Sequence, residues 1–410
     1  MSSPDFPLGI SLGDARERML SIGADRKLGV ESVEVDHALG RVLSTDFVAP
    51  FDLPPFANSA MDGFALRSAD VAESREISLR IVGTRFAGDG SPIAIGVGEC
   101  VRITTGAPIP AGADAIAIRE NVRVDGDTAS LTGPVAAGTH VRPAGEDMRR
   151  GEIAMQGGDL LTSGRLGALA AFGLRNVDVV RKPRAVVLTT GDELVEADTP
   201  LAAGQIYNSN RHSLAALLAE TGVELLRHQH VLDDPAALSA ALTTAGAEAD
   251  LILTSGGVSA GEADFLPRLL EDIGRVHFWK VRMRPGMPIL VGEIGKALVC
   301  SLPGNPVSTM ATFLALVRPG LDVMMGRAPR PRWYARLAQP VRKTHARAEY
   351  MRATLQSRED GTLWAEPFPR QGSGMLHGMV RADALVLIPE EAHELTAGTV
   401  VEVLPLAGFV

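Results

Sequence analysis

The chain has 410 residues, 46% hydrophobic and 22% charged, which is too long for one ordinary core and too apolar for a disordered chain. A formal net charge of -9 argues against a general nucleic-acid binder, so any anionic ligand must be held by local groups. The two cysteines, Cys100 and Cys300, stand far apart and outside any Cys-x-x-Cys pair, which supports neither a disulfide scaffold nor a zinc ribbon and fits a reducing compartment.

The first twenty residues carry Asp5, Asp14 and Glu17 without an apolar stretch, unlike a secretion signal. No apolar run approaches the roughly 20 residues of a membrane span, so a cytoplasmic protein with no membrane partner is expected.

In chain order, the spacing of Leu12, Ala15, Met19 and Ile22 predicts a helix over 11–28, capped by Ser11 or Asp14. Residues 50–55 form a proline-rich connector. Short apolar runs at 77–82, 100–104, 115–119 and 123–124 alternate with Gly and Pro turns and predict a small β-rich domain. A charged stretch over 142–151 precedes a short helix near 163–172.

After Lys182-Pro183 the texture changes. Strands are predicted at 185–190, 251–254, 289–291 and 297–301, and helices at 209–221, 235–245, 265–273 and 306–317. This alternation implies a mostly parallel sheet with helices on both faces, a doubly wound α/β domain. Beyond Arg327-Ala328-Pro329 the runs at 332–338, 350–356, 363–367, 384–388 and 400–404 predict a small β-barrel or sandwich.

Ligands of open α/β sheets bind at the carboxyl ends of the strands. Four loops there stand out: 190–193, 254–259, 280–286 and 301–306. Ser255-Gly256-Gly257 exposes backbone N–H groups before a helix and suits a phosphate, though it serves equally as a plain tight turn. Glu193, Asp233 and Asp264 are candidate Mg²⁺ ligands as a set; singly, Asp233 and Asp264 read as helix-start residues. Lys280, Arg282 and Arg284 alternate, so on a strand they would share one basic face, open to an oxyanion or to solvent. Pro303-Gly304-Asn305-Pro306 is a stiff helix entry. In the N-terminal half, Asp62-Gly63, the Arg102-to-Pro108 loop with Thr105, and Gly145-Glu146-Asp147 read individually as turns.

Taken together, the stretches 55–65, 102–110, 145–147, 189–194, 207–210, 253–265, 278–288 and 301–308 resemble the molybdopterin molybdenumtransferase family, including the matching domain of gephyrin-type proteins. They follow the family order across most of the chain. The resemblance implies an elongated four-domain homodimer. A connecting domain would take 1–50 with 140–182, the small β-rich domain 51–139, the α/β molybdopterin-binding domain 183–327 and the C-terminal β-barrel domain 328–410. It implies molybdate insertion at the dithiolene of adenylylated molybdopterin, hydrolysis of the pyrophosphate link and release of AMP, with Mg²⁺. The cleft would be shared between subunits, and a preceding molybdopterin adenylyltransferase and molybdoenzyme-maturation factors are the implied partners.

Position by position, the resemblance places Asp62, Thr105 and Asp147 among the catalytic residues beside Glu193, Asp233 and Asp264, with the last three as metal ligands. Ser255, Gly256, Gly257, Ser259, Lys280, Arg284, Pro303, Pro306, Arg352 and Ser373 would contact substrate. One departure is Arg284-Pro285-Gly286-Met287-Pro288, where many relatives carry Lys-Pro-Gly-Lys-Pro. Arg284 keeps the charge but not the geometry, and Met287 removes one. The alternatives are the neighbouring adenylylation step, whose enzymes share the α/β domain but usually lack the flanking β-rich parts, and a non-catalytic scaffold. A dehydrogenase is set aside because no Gly-x-Gly-x-x-Gly follows the first strand of the α/β region.

Overall fold

The computed structural model describes residues 6–73, 76–257 and 266–406. The fold divides into two compact units: Met1–Ser44 with Gly158–Thr162 and Val177–Val410, and Thr45–Gly157 with Ser163–Asn176.

The larger unit is built on a seven-stranded sheet. Its strands are β1 (Leu8–Ile10), β2 (Arg184–Thr190), β3 (Glu224–Val231), β4 (Leu251–Ser255), β5 (Arg275–Val281), β6 (Leu290–Ile294) and β7 (Ala297–Leu302), in the spatial order β1-β5-β6-β7-β4-β2-β3. All neighbours are parallel except β6, which runs antiparallel to β5 and β7. The central strands are apolar on both faces because both are covered. Ala185, Val187, Leu251, Leu253 and Cys300 face one core, while Val186, Leu188, Ile252 and Val299 face the other. Helices α1 (Leu12–Ala24), α2 (Ser209–Thr221) and α5 (Pro306–Met324) pack on the first side, and α3 (Pro235–Glu248) and α4 (Leu266–Ile273) on the second.

Local chemistry sets the helix ends. Ser11 accepts the Asp14 amide at 3.0 Å, and Asp234 accepts the Ala237 amide at 2.7 Å before a proline in the first turn of α3. Helix α2 stops at Gly222, whose φ of 85° is the left-handed cap. The expected helix over 306–317 runs on to Met324. A π turn at Phe313–Val317 lies just before Pro319, where an α-helical hydrogen bond would be lost in any case. This helix has the length and mean hydropathy (1.2) of a membrane span, but 78% of the window is buried inside the protein, as befits a core helix.

Three strands of this sheet, β1, β3 and β5, escape the sequence pattern. β3 is a polar edge strand, Glu-Leu-Leu-Arg-His-Gln-His-Val, with no need for alternation. β1 is three residues long and adds to the far edge beside β5.

The C-terminal strands close on themselves. Ala348–Ser357, Leu363–Pro367, Trp333–Leu337, Val400–Pro405 and Ala384–Ile388 form a ring, because the last pairs back with the first. This settles the barrel-or-sandwich alternative as a five-stranded barrel. Its narrow interior takes small side chains, among them Ala335, Ala353, Ala365 and Ala384.

The smaller unit carries a six-stranded sheet ordered Val122–Asp125, Thr128–Thr132, Glu76–Arg85, Glu99–Ile103, Gly63–Leu66 and Ala115–Ile118. Its core includes Phe64, Leu79 and Cys100. Both cysteines of the chain are buried and unbonded, and burial pushes each thiol up to about 12.

Candidate functional site

A cavity of about 740 Å³ opens at the carboxyl ends of β2, β4 and β7, within the size range of small-molecule sites. The turn after β4 and the loop after β7 form its floor. Gly256 has φ +95°, and a Cβ there would come within 2.4 Å of the Thr190 carbonyl, so only glycine fits. Gly257 follows at φ +67°. The Gly256 amide donates to the Leu302 carbonyl at 3.3 Å, which draws the two loops together. Pro303, Gly304, Asn305 and Pro306 line the wall and lead into α5.

The start of α2 braces this floor. Asn208 is 5% exposed; it caps α2 through the Arg211 amide and donates to Thr189 Oγ1 at 2.9 Å. Asn210 donates one amide hydrogen to Ser255 Oγ (2.8 Å) and the other to the Gly304 carbonyl (2.7 Å), which ties the two loops to one side chain. A flipped amide would set oxygen against oxygen at Gly304, so the orientation is fixed. The sequence singles out neither asparagine beyond the 207–210 stretch; their signal is a pair of polar side chains straddling a helix start. Behind them Thr189 also meets His228 Nε2 at 2.9 Å, and burial lowers the His228 pKa to about 4, so the ring is neutral near pH 7.

Glu193 and Asp233, 40 residues apart in sequence, line the same cavity. Asp233 is held above the usual carboxylate range, first by burial and then by the charges of Asp192 and Glu193, with a hydrogen bond to Thr190 acting the other way. The Asp192 side chain accepts the Asp233 amide at 3.2 Å. Crowded carboxylates at a cavity edge offer hard oxygens to a cation, and Mg²⁺ often uses one or two carboxylates plus ligand phosphates and waters. Among the described residues no group of three or more His, Cys, Asp or Glu side chains could hold a metal. The expected trio is therefore a described pair, since Asp264 lies outside the described residues, as does Ser259.

In the basic run Val281 and Met283 are buried between Lys280, Arg282 and Arg284, and Lys280 takes φ +62°. The Lys280 ammonium stacks 4.0 Å over the Trp279 ring. Arg282 bonds Glu390 (3.0 Å) and the Gly9 carbonyl (2.9 Å), and Arg284 pairs with Glu349 at 3.6 Å. None of the three lines the cavity.

Arg352 likewise does not reach in. It is 1% exposed, and its guanidinium donates to Gln371 Oε1 and to the carbonyls of Arg370, Gly372 and Met375 at 2.7–3.2 Å. It shapes the loop that brings Gly374 and Leu376 to the cavity. Ser373, on that loop, accepts from Asn305 Nδ2 at 3.1 Å, and its carbonyl takes the Val307 amide at 3.1 Å.

In the smaller unit Asp62 and Thr105 come together. One Asp62 oxygen accepts the Thr105 amide (2.7 Å) and hydroxyl (2.9 Å), which holds the carboxyl below its usual range. Asp147 is exposed on a separate loop whose amide bonds the Leu53 carbonyl at 3.0 Å.

Fold and cleft thus define a multidomain α/β protein with a ligand site at its strand ends, built from glycine turns and helix starts that suit a phosphorylated ligand. Three family descriptions match in succession: "MoeA N-terminal region (domain I and II)" over residues 10–173, "Probable molybdopterin binding domain" over 186–322, and "MoeA C-terminal region (domain IV)" over 334–406. The molybdopterin molybdenumtransferase of Haemophilus influenzae is 34% identical over 97% of this chain and 98% of its own. That of Synechococcus elongatus is 37% identical over 97% and 100%. A crystal structure of a molybdopterin biosynthesis MoeA protein from Pyrococcus horikoshii superposes with a TM-score of 0.81 at 31% identity, covering 98% of this chain and all of the other. The chain belongs to the molybdopterin molybdenumtransferase family.

Proposed function

We propose that this chain inserts molybdate into adenylylated molybdopterin, hydrolysing the pyrophosphate link and releasing AMP. The observation that carries the reading is the convergence of the 255–257 turn with the starts of α2 and α5 on one cavity, beside Glu193 and Asp233. Helix N-termini and free amides favour a phosphate anion. Hydrolysis of a phosphoanhydride asks for positioning and charge neutralisation more than for a covalent nucleophile. Water adds at phosphorus, the bridging P–O bond breaks, AMP leaves, and the two phosphate monoesters, as dianions, release two protons between them. Asp233, at the cavity edge, suits a group that orients this water.

Mg²⁺ belongs to the proposal, with Glu193 and Asp233 as the residues that would hold it; bound there, it neutralises phosphate charge. Asp62, Thr105 and Asp147 complete the proposed catalytic set, in a homodimer whose clefts are shared between subunits. Supply of the intermediate by an adenylyltransferase, delivery to molybdoenzyme-maturation factors and a cytoplasmic setting are part of the same reading.

The test mixes the protein with adenylylated molybdopterin, Mg²⁺ and molybdate and follows AMP. Molybdate-dependent AMP release, lost on chelation and reduced about 100-fold or more in Asp233→Asn, is expected. Build-up of adenylylated molybdopterin from ATP without molybdate would point to the neighbouring adenylylation step, and normal cofactor insertion in Glu193→Ala and Asp62→Ala would defeat the assigned roles.

A further inference from the structure

Between β2 and α2 the chain makes an excursion that ends in a short parallel pair, Leu194–Val195 with Ile206–Tyr207. Leu194, Ile206 and Tyr207 all line the cavity, and Ile206 and Tyr207 remain 55% and 48% exposed. At the edge of a cavity lined by both polar and apolar groups, they offer a ligand an apolar surface.

Tyr207 is fixed at both ends. Its hydroxyl donates to the Thr199 carbonyl at 3.0 Å. The next residue, Asn208, donates its amide to the Val195 carbonyl at 3.0 Å and is buried. With the hydroxyl proton committed, the side chain has its ring to offer a ligand. Tyr207 is the single aromatic residue among the described residues lining the cavity. A rigid, preplaced ring is what base stacking requires, and stacking tolerates any planar heterocycle. The polar floor and the aromatic edge together suit a ligand that carries a flat ring on a phosphate.

We infer that Tyr207 is a substrate-positioning residue on which a planar nitrogen heterocycle of the substrate stacks. The inference rests on the functional reading above, whose substrate carries two such rings, a purine and a pterin. Binding of AMP, pterin-6-carboxylate and ribose 5-phosphate to the full-length protein, measured by calorimetry, tests it. In Tyr207→Ala one ring-bearing probe should weaken by roughly tenfold or more while ribose 5-phosphate stays within about twofold. Tyr207→Phe, which keeps the ring and loses the Thr199 bond, should bind within about threefold of wild type. The probe that weakens tells which ring lies on Tyr207. Unchanged binding of both ring probes in Tyr207→Ala, or an equal fall of all three, would overturn the inference and leave the functional reading standing. A wild-type protein that binds neither ring probe would instead bring down that reading.

Discussion

The 255–257 turn and the 280–284 segment both follow strands of one sheet, and both look like anion sites in the sequence. Only the first lines the cavity. Its conformation is written into the backbone: Gly256 has no room for a Cβ, and no other residue type would serve. The second depends on long cationic side chains, and these go to partners far away in sequence, Arg282 to Glu390 and Arg284 to Glu349. A turn made by main-chain geometry carries its site with it, whereas a flexible charge goes to whichever opposite charge the fold brings near.

Substitutions can break or sharpen this contrast. The largest effect is expected from Arg352→Ala, which takes the shared donor from the carbonyls of Arg370, Gly372 and Met375 and empties a buried site, at a cost of about 3–5 kcal/mol in urea unfolding. A loss below about 1 kcal/mol would mean the loop is held by other contacts. Gly256→Ala should cost about 2–3 kcal/mol and abolish tight AMP binding, since strain and a backbone clash coincide. Asn210→Ala removes the strut between the two loops; about 1–2 kcal/mol of stability and roughly tenfold in AMP affinity should go with it. Arg284→Ala, which takes a half-exposed partner from the buried carboxylate of Glu349, should cost about 1 kcal/mol and stay within about twofold in AMP affinity. A tenfold loss there would place Arg284 at the ligand and erase the contrast.

Acid supplies a further effect, read as a slope. His228 titrates near 4 in the folded chain and near 6.5 when unfolded, so the unfolded chain binds more protons between these values. Its contribution to stability is complete above pH 6.5 and is lost as pH falls towards 4. His228→Gln should flatten that limb of a pH-dependent unfolding series, and an unchanged slope would show that other groups carry it.

Much of the α/β domain was legible because its central strands are continuous apolar runs and its helices start at Ser11 and Asp234. The candidate floor was legible for the same reason that glycine and proline constrain the chain. Polar edge strands such as β3 have no periodic signal. The meeting of Glu193 with Asp233 at one cavity was accessible from the rule that ligands collect at strand ends. The burial of Arg352 was not, because its sequence neighbourhood gives no hint that four acceptors would surround it. Nor could sequence spacing show that Tyr207 stands alone as an aromatic at the cavity.

Both native thiols, in the cores of two different sheets, have pKa values pushed to about 12. At neutral pH neither is ionised or reachable, so neither is available for mixed disulfides with a sulfur-bearing ligand or for alkylation. A cysteine placed at an exposed position such as Ala203, in the excursion ahead of Tyr207, would therefore be the sole reactive thiol, and a dye attached there would report on that segment without any native residue first being removed.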